Sequence, residues 1–239
     1  MTNRNEISQS HEGSELRHLV MDDGSGTARP GVVIFPSVMN RGPVEEDHAT
    51  RLVELGYSAL CADTFGSDLI ATGDKERMFG EMNRHLENRG GYVKRLAAIL
   101  DLAKEHDSFD GSKIAVMGFC FGGLCTLDLA RSGAEFAVAG SFHGLLKPAP
   151  FSGEHRITPS VAVFHGWDDP MAPPEDVVAL GKELTKGQCD WQVHAYGNVG
   201  HGFTNPDAHQ MEIEGVEYDR TAAMRSWDSF TDLLAEKMR

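Results

Sequence analysis

The stretch Lys113–Ala130, KIAVMGFCFGGLCTLDLA, decides the fold. Its first five residues, Lys113 to Met117, are a short apolar run of the buried-strand type, and Gly122 to Ser132 has helical spacing. Between them, Gly118-Phe119-Cys120-Phe121-Gly122-Gly123 forms G-x-C-x-G in the strand-turn-helix setting that such a motif requires. A nucleophile raised on so sharp a turn needs strained backbone angles, and small residues two before and two after it let strand and helix approach. Gly118 and Gly122 meet that need. At the start of a helix, exposed N–H groups and the macrodipole favour a thiolate, so Cys120 is the candidate nucleophile. The plainer reading, a small buried hydrophobe in a glycine-rich turn, stands beside it. Cys125, inside the helix, reads as core packing.

Outward from this turn, short apolar runs recur at Gly31–Phe35, Ser58–Ala62, Ala137–Ser141 and Val161–His165, each ended by Gly, Pro, Asp or Ser. Helical spacing separates them at Glu45–Leu55, Tyr92–Glu105, Pro174–Lys186 and Asp219–Met238. Leu16–Met21 fits an antiparallel edge strand and Trp191–Tyr196 a late strand. Regular alternation of strand and helix predicts an α/β fold, a mostly parallel open sheet flanked by helices on both faces, in one domain over 1–239. About 1–14 is expected as a flexible N-terminus. Residues 66–91, with five glycines among polar, Met and Phe residues, are expected as a loop or small lid.

A cysteine nucleophile needs a base, and the base needs an acid to fix its tautomer. In a sheet of this kind they follow in the order nucleophile, acid, histidine. The run Val161–His165 ends in Gly166-Trp167-Asp168-Asp169-Pro170, just past the carboxyl end of a strand. Asp169, fourth in a G-x-x-D-x-x-x-P turn ending at Pro173, is the chosen acid. Asp168 is the alternative, and turn-forming or helix-capping aspartates are the bland one. After the last strand comes Gly197-Asn198-Val199-Gly200-His201-Gly202-Phe203, and His201, bracketed by glycines, is the expected base among eleven histidines. His143 is a candidate for the pocket floor. The oxyanion calls for the N–H after the nucleophile, Phe121, and one from the loop after the early strand, Val38. Ser37 and Met39 beside it, with Phe203, are expected to contact substrate.

Composition limits the partners. A formal net charge of −14 speaks against nonspecific attraction to nucleic acid or anionic membrane, because such partners need a basic face, which only local patches could supply. No apolar run is long enough to span a bilayer and the first ten residues carry no apolar stretch, so a cytoplasmic protein is expected. The four cysteines lack metal or C-x-x-C spacing and read as reduced thiols.

Together GFCFGG, LARSGA, SFHGLL, HGWDDPMAPPE, YGNVGHGFTNPDA and the terminal RSW resemble the dienelactone hydrolase family from about residue 15 onward. The resemblance implies a single-domain α/β hydrolase without cofactor or metal, with Cys120, Asp169 and His201 as its triad. Two positions depart from that family. Where its well-studied enzymes place a glutamate against the resting thiol, this chain has Ser37, and where they place an arginine for the substrate carboxylate, it has Asn205. The expectation is a hydrolase of small esters or lactones working through an acyl-cysteine. Thioester or amide hydrolysis by the same residues is the alternative, and so is a thiol-based binding or redox-sensing protein without turnover. The oligomeric state is left open.

Overall fold

A computed structural model describes residues 2–70 and 72–238. Its strands form an open, mostly parallel eight-stranded sheet with six α-helices. The chain divides into two compact units, Met1–Val116 and Met117–Arg239.

The first unit runs β1 (Asn3–His11), β2 (Ser14–Asp22), β3 (Arg29–Phe35), α1 (Pro43–Glu54), β4 (Ser58–Cys61), α2 (Lys75–Glu87), α3 (Arg89–Glu105) and most of β5 (Phe109–Phe119). Strand order here is β1-β2-β4-β3-β5. β3 and β4 pair in parallel from Gly31↔Ser58 to Ile34↔Cys61. Val32, Val33, Ile34 and Phe35 are wholly buried, as expected of a strand covered on both faces, and each contributes about 1.5–3 kcal/mol by leaving water.

Two expectations change here. Asn3–His11, anticipated as part of a flexible terminus, pairs antiparallel with β2 from Asn3↔Asp22 to His11↔Ser14. Glu12 and Gly13, with φ of 47° and 79°, form the two-residue turn whose twist suits a hairpin. The strand is hidden in the sequence because NRNEISQSH buries neither face and carries no apolar alternation. β2 therefore pairs on both sides rather than forming the edge. Likewise 66–91 is mainly helical. After a short 3₁₀ turn at Ser67–Leu69, α2 begins under an Asp74 cap that accepts from Arg77 N–H, and Asn88 starts α3 by accepting from Gly91 N–H. Only Met78 and His85 of α2 are buried, too few for an apolar stripe to be read. His85 is held by stacking on Tyr92, ring centres 3.8 Å apart.

The second unit contains the end of β5, then α4 (Phe121–Arg131), β6 (Val138–Phe142), β7 (Ser160–Gly166), α5 (Pro174–Lys186), β8 (Trp191–Tyr196) and α6 (Arg220–Lys237). β6, β7 and β8 are parallel neighbours, in register at Val138↔Ser160 and Val161↔Trp191. Every residue of α4 is buried, so this helix is enclosed on all sides. Its last residue, Arg131, is enclosed as well. The guanidinium is neutralised by Asp128 (3.2 Å) and by both Glu183 oxygens (2.9 Å each), and it donates to the carbonyls of Leu146 and Lys147. Removing one partner of so buried a pair costs about 3–5 kcal/mol, so this cluster fixes α4, and with it the turn at Cys120, to α5.

Candidate active site

Cys120 stands at the junction of β5 and α4 with φ 54° and ψ −115°, a conformation that L-residues rarely adopt. What holds it there is local. Cys120 N–H donates to Phe142 O (3.0 Å) at the end of β6, while Cys120 O accepts from Gly123 and Leu124 N–H as the helix begins. A Cβ on Gly118 would lie 2.1 Å from Gly122 O, so the turn closes only around glycine. The thiol is partly exposed.

The turn after β7 places the two aspartates differently. Asp168 is exposed, whereas Asp169 is buried and its Oδ1 accepts from Met171 N–H (2.8 Å). Asp169 Oδ2 lies 2.7 Å from Nδ1 of His201. His201 is buried in a loop braced from outside: its N–H donates to Gly215 O (2.7 Å) and its carbonyl accepts from Glu217 N–H (3.0 Å). A Cβ on Gly166 would fall 2.3 Å from Gly200 O, so the acid turn and the base loop touch backbone to backbone. The bracing segment 213–217 carries no chemical motif, and nothing in the sequence marks it.

Burial is the largest influence on His201 and lowers its pKa. The charge of Cys120, the hydrogen bond that Asp169 accepts, a weaker hydrogen bond with Cys120 and the Asp169 charge together overcome it and raise the imidazole to about 10. Of the two influences of Cys120 on the imidazole, its charge is the larger and its hydrogen bond the smaller. Asp169 and Cys120 thus act on the His201 imidazole in the same direction, against its burial.

The remaining sequence candidates are divided between the units. Phe121 opens α4 and is buried. Phe203, expected at the substrate, is fully enclosed, packed edge-on against His143 and Tyr196. Ser37, Val38 and Met39 lie in the first unit, in the loop after β3. That loop is tied down by residues the sequence reading passed over: Asn40 Nδ2 donates to Asp63 Oδ1 (2.9 Å), and Glu45 accepts from Gly42 N–H (3.0 Å) and Ser37 N–H (3.4 Å). Burial pushes the Glu45 carboxyl up to about 7. Also unanticipated is His165, wholly buried beside Asp169 with both ring nitrogens unbonded, whose pKa burial lowers. Among the described residues no group of three or more His, Cys, Asp or Glu side chains is placed to hold a metal ion, and no helix is long and apolar enough to cross a membrane.

The sheet and its flanking helices, with a cysteine turn at the end of one strand and an Asp–His pair after the later ones, define an α/β hydrolase. The chain belongs to the dienelactone hydrolase family, whose model matches residues 18–238. A Caenorhabditis elegans protein described as uncharacterized is 34% identical over 154 residues, covering 62% of this chain and 96% of that one. The carboxymethylenebutenolidase of Pseudomonas putida is 24% identical over 82% of this chain and 83% of its own. Among solved structures, a dienelactone hydrolase-like promiscuous phosphotriesterase from metagenomic libraries superimposes with a TM-score of 0.91 at 34% identity, covering 100% of this chain and 99% of that one.

Proposed function

We propose that the protein hydrolyses small carboxylic esters or lactones through an acyl-cysteine. The observation that carries this reading is His201, buried between Asp169 at 2.7 Å and the charge of Cys120. The Cys120 thiolate attacks the carbonyl carbon and the C–O π pair moves onto oxygen. The amide N–H of Phe121, at the start of α4, is the proposed donor to that oxyanion. On collapse the C–O bond to the leaving group breaks, and the alkoxide takes its proton from the His201 imidazolium. Once Cys120 is acylated, its negative charge is gone and the main influence raising His201 goes with it. The now neutral imidazole removes a proton from water as water attacks the thioester, and Asp169 stabilises the imidazolium that results. The carboxylic acid leaves and the thiolate returns. Metal and cofactor have no step in this scheme.

Ser37 and Met39 are proposed on the substrate side, while Phe203, being enclosed, acts on the pocket through His143. Asn205 brings no positive charge for a substrate carboxylate, so neutral esters are the preferred class, because a buried unpaired carboxylate keeps its desolvation cost. The test is a panel of neutral esters, anionic esters, lactones and thioesters on wild type and Cys120→Ala. Neutral esters are expected to exceed anionic ones by about tenfold in kcat/KM, with turnover lost in the variant. Undiminished turnover by Cys120→Ala sinks the reading. A second reading, phosphotriester cleavage by the same thiolate, is favoured by the 34% identical phosphotriesterase and belongs in the same panel.

A further inference from the structure

The end of β6 meets all three parts of the candidate site. Phe142 O accepts the Cys120 N–H (3.0 Å), and the next residue, His143, donates its own N–H to Phe164 O (2.8 Å) on β7, the strand that leads to Asp169. The side chain of His143 reaches the third part. Its Nε2 is 2.8 Å from Thr204 Oγ1, three residues beyond His201, and its ring stands edge-on to the His201 ring, centres 5.1 Å apart and planes inclined at 68°. Phe203 packs on the same imidazole at 5.1 Å.

His143 holds this place at a conformational cost. Its φ is 38°, in the left-handed region that non-glycine residues avoid, at about 1–3 kcal/mol. The turn has little choice. Gly144, the following residue, is pressed so closely against α4 that a Cβ there would meet Ser141 Oγ at 2.2 Å and the Gly123 carbonyl carbon at 3.0 Å. Strain of this kind persists where surrounding contacts over-determine it, and here those contacts are the amide of the candidate nucleophile and the loop of the candidate base.

We propose that His143, bonded to Thr204, is a positioning residue for the His201 imidazole. It acts through the His201 ring rather than on the reacting atoms. Asp169 holds Nδ1 of the His201 ring at 2.7 Å, and the His143 ring stands edge-on against the same imidazole. A swing of the ring about the Nδ1–Asp169 bond would carry it into His143. His143 blocks that swing by lying against the imidazole while Thr204 clamps it to the same loop. The need is greatest in the acyl-enzyme, when Cys120 no longer attracts the ring electrostatically. The catalytic part of this inference rests on the function proposed above.

Thr204 offers the cleaner test, because His143 and its strained backbone are left intact. Thr204→Val keeps the shape and removes the hydroxyl, and Thr204→Ser restores it. The expected result is acyl-enzyme decay slowed about tenfold in Thr204→Val, with acylation changed less, and near-normal decay in Thr204→Ser. His143→Asn, which tolerates the same φ, should slow decay comparably, and the double variant His143→Asn/Thr204→Val should be no slower than the worse single one. Ring nitrogen shifts of His201, read by NMR in the resting protein, should broaden or move in Thr204→Val and recover in Thr204→Ser. That reading is independent of whether Cys120 is the nucleophile, so loss of the proposed function and loss of the brace are separable. Unchanged His201 signals and decay in Thr204→Val, even with a lowered melting temperature, would overturn the proposal. So would a Thr204→Ser variant as impaired as Thr204→Val, since that outcome would assign the effect to methyl packing.

Discussion

Cys120 and Cys61 each sit at the carboxyl end of a strand, each beside an ionisable side chain, and their surroundings are opposite. Cys61, at the end of β4, is fully buried and donates to the Glu45 carbonyl (3.5 Å). Burial first, and then the charges of Glu45 and Glu46, push its thiol far above the ordinary range, against weaker help from Arg41 and Arg4. Cys120 is partly exposed, and its charge, with Asp169, raises the pKa of the His201 imidazole. Desolvation and like charge disfavour the Cys61 thiolate, whereas an opposite charge and a helix start would favour that of Cys120. The neighbour, not the cysteine, sets the chemistry.

The largest effect expected from breaking the second arrangement is that of Asp169→Asn. An asparagine favours the wrong imidazole tautomer and cannot stabilise the imidazolium, so turnover should fall about 10²- to 10⁴-fold with the fold intact. Asp168→Asn, at an exposed position, should alter turnover little and cost no more than about 1 kcal/mol of stability. Turnover and melting temperature on both variants decide between them. A dead Asp168→Asn beside an active Asp169→Asn would move the acid by one residue.

Alkylation compares the two thiols directly. Iodoacetamide at pH 7 should modify Cys120 on the order of a thousandfold faster than Cys61, because the thiolate fraction changes tenfold for each unit of acidity. Cys189, pushed up to about 11 by burial and by Asp190, should lag as well. Peptide mapping of timed samples gives the rates, and in denaturant the four cysteines should converge. Native rates already equal would remove the activated thiol from the account.

The smallest effect concerns the carboxylate that helps to silence Cys61. Burial raises folded Glu45 from 4.5 to about 7, so the unfolded chain ionises first. Below about pH 4.5 both states are protonated and there is no penalty. As pH climbs from 4.5 to 7 the native state is progressively destabilised, and above 7 the penalty is complete at about 3 kcal/mol or less. Glu46 on the same helix adds to the rise, while the backbone N–H groups of Ser37 and Gly42 oppose it. Glu45→Gln removes the titration, so its stability relative to wild type should improve by up to that amount between pH 4 and pH 8 in urea melts. A pH-independent difference would show that the carboxylate ionises normally in the folded chain.

The parts of this molecule that were legible in the sequence are those written by local chemistry. Gly118 and Gly122 around Cys120 announce a turn that only glycine can close. The buried strands show as unbroken apolar runs because both of their faces are covered, and α5 is bounded as expected at Pro174 and Lys186 because its start and stop signals are local. Asp169 was preferred to Asp168 on turn pattern, and the tertiary structure supplies the geometric difference: one carboxylate enclosed on His201, the other in solvent. Tertiary packing alone decided the rest. β1 exists because β2 offers it a ladder, a partner that a polar nine-residue segment cannot advertise. Glu45 looks like an ordinary helix-start acid until burial changes its ionisation. His143 and Thr204 are 61 positions apart and share no motif, yet strained backbone and one 2.8 Å bond set them against His201. Sequence specifies what each residue can do within a few bonds of itself, while burial, charge and non-local contact are properties of the folded chain, and these give the two cysteines their different surroundings.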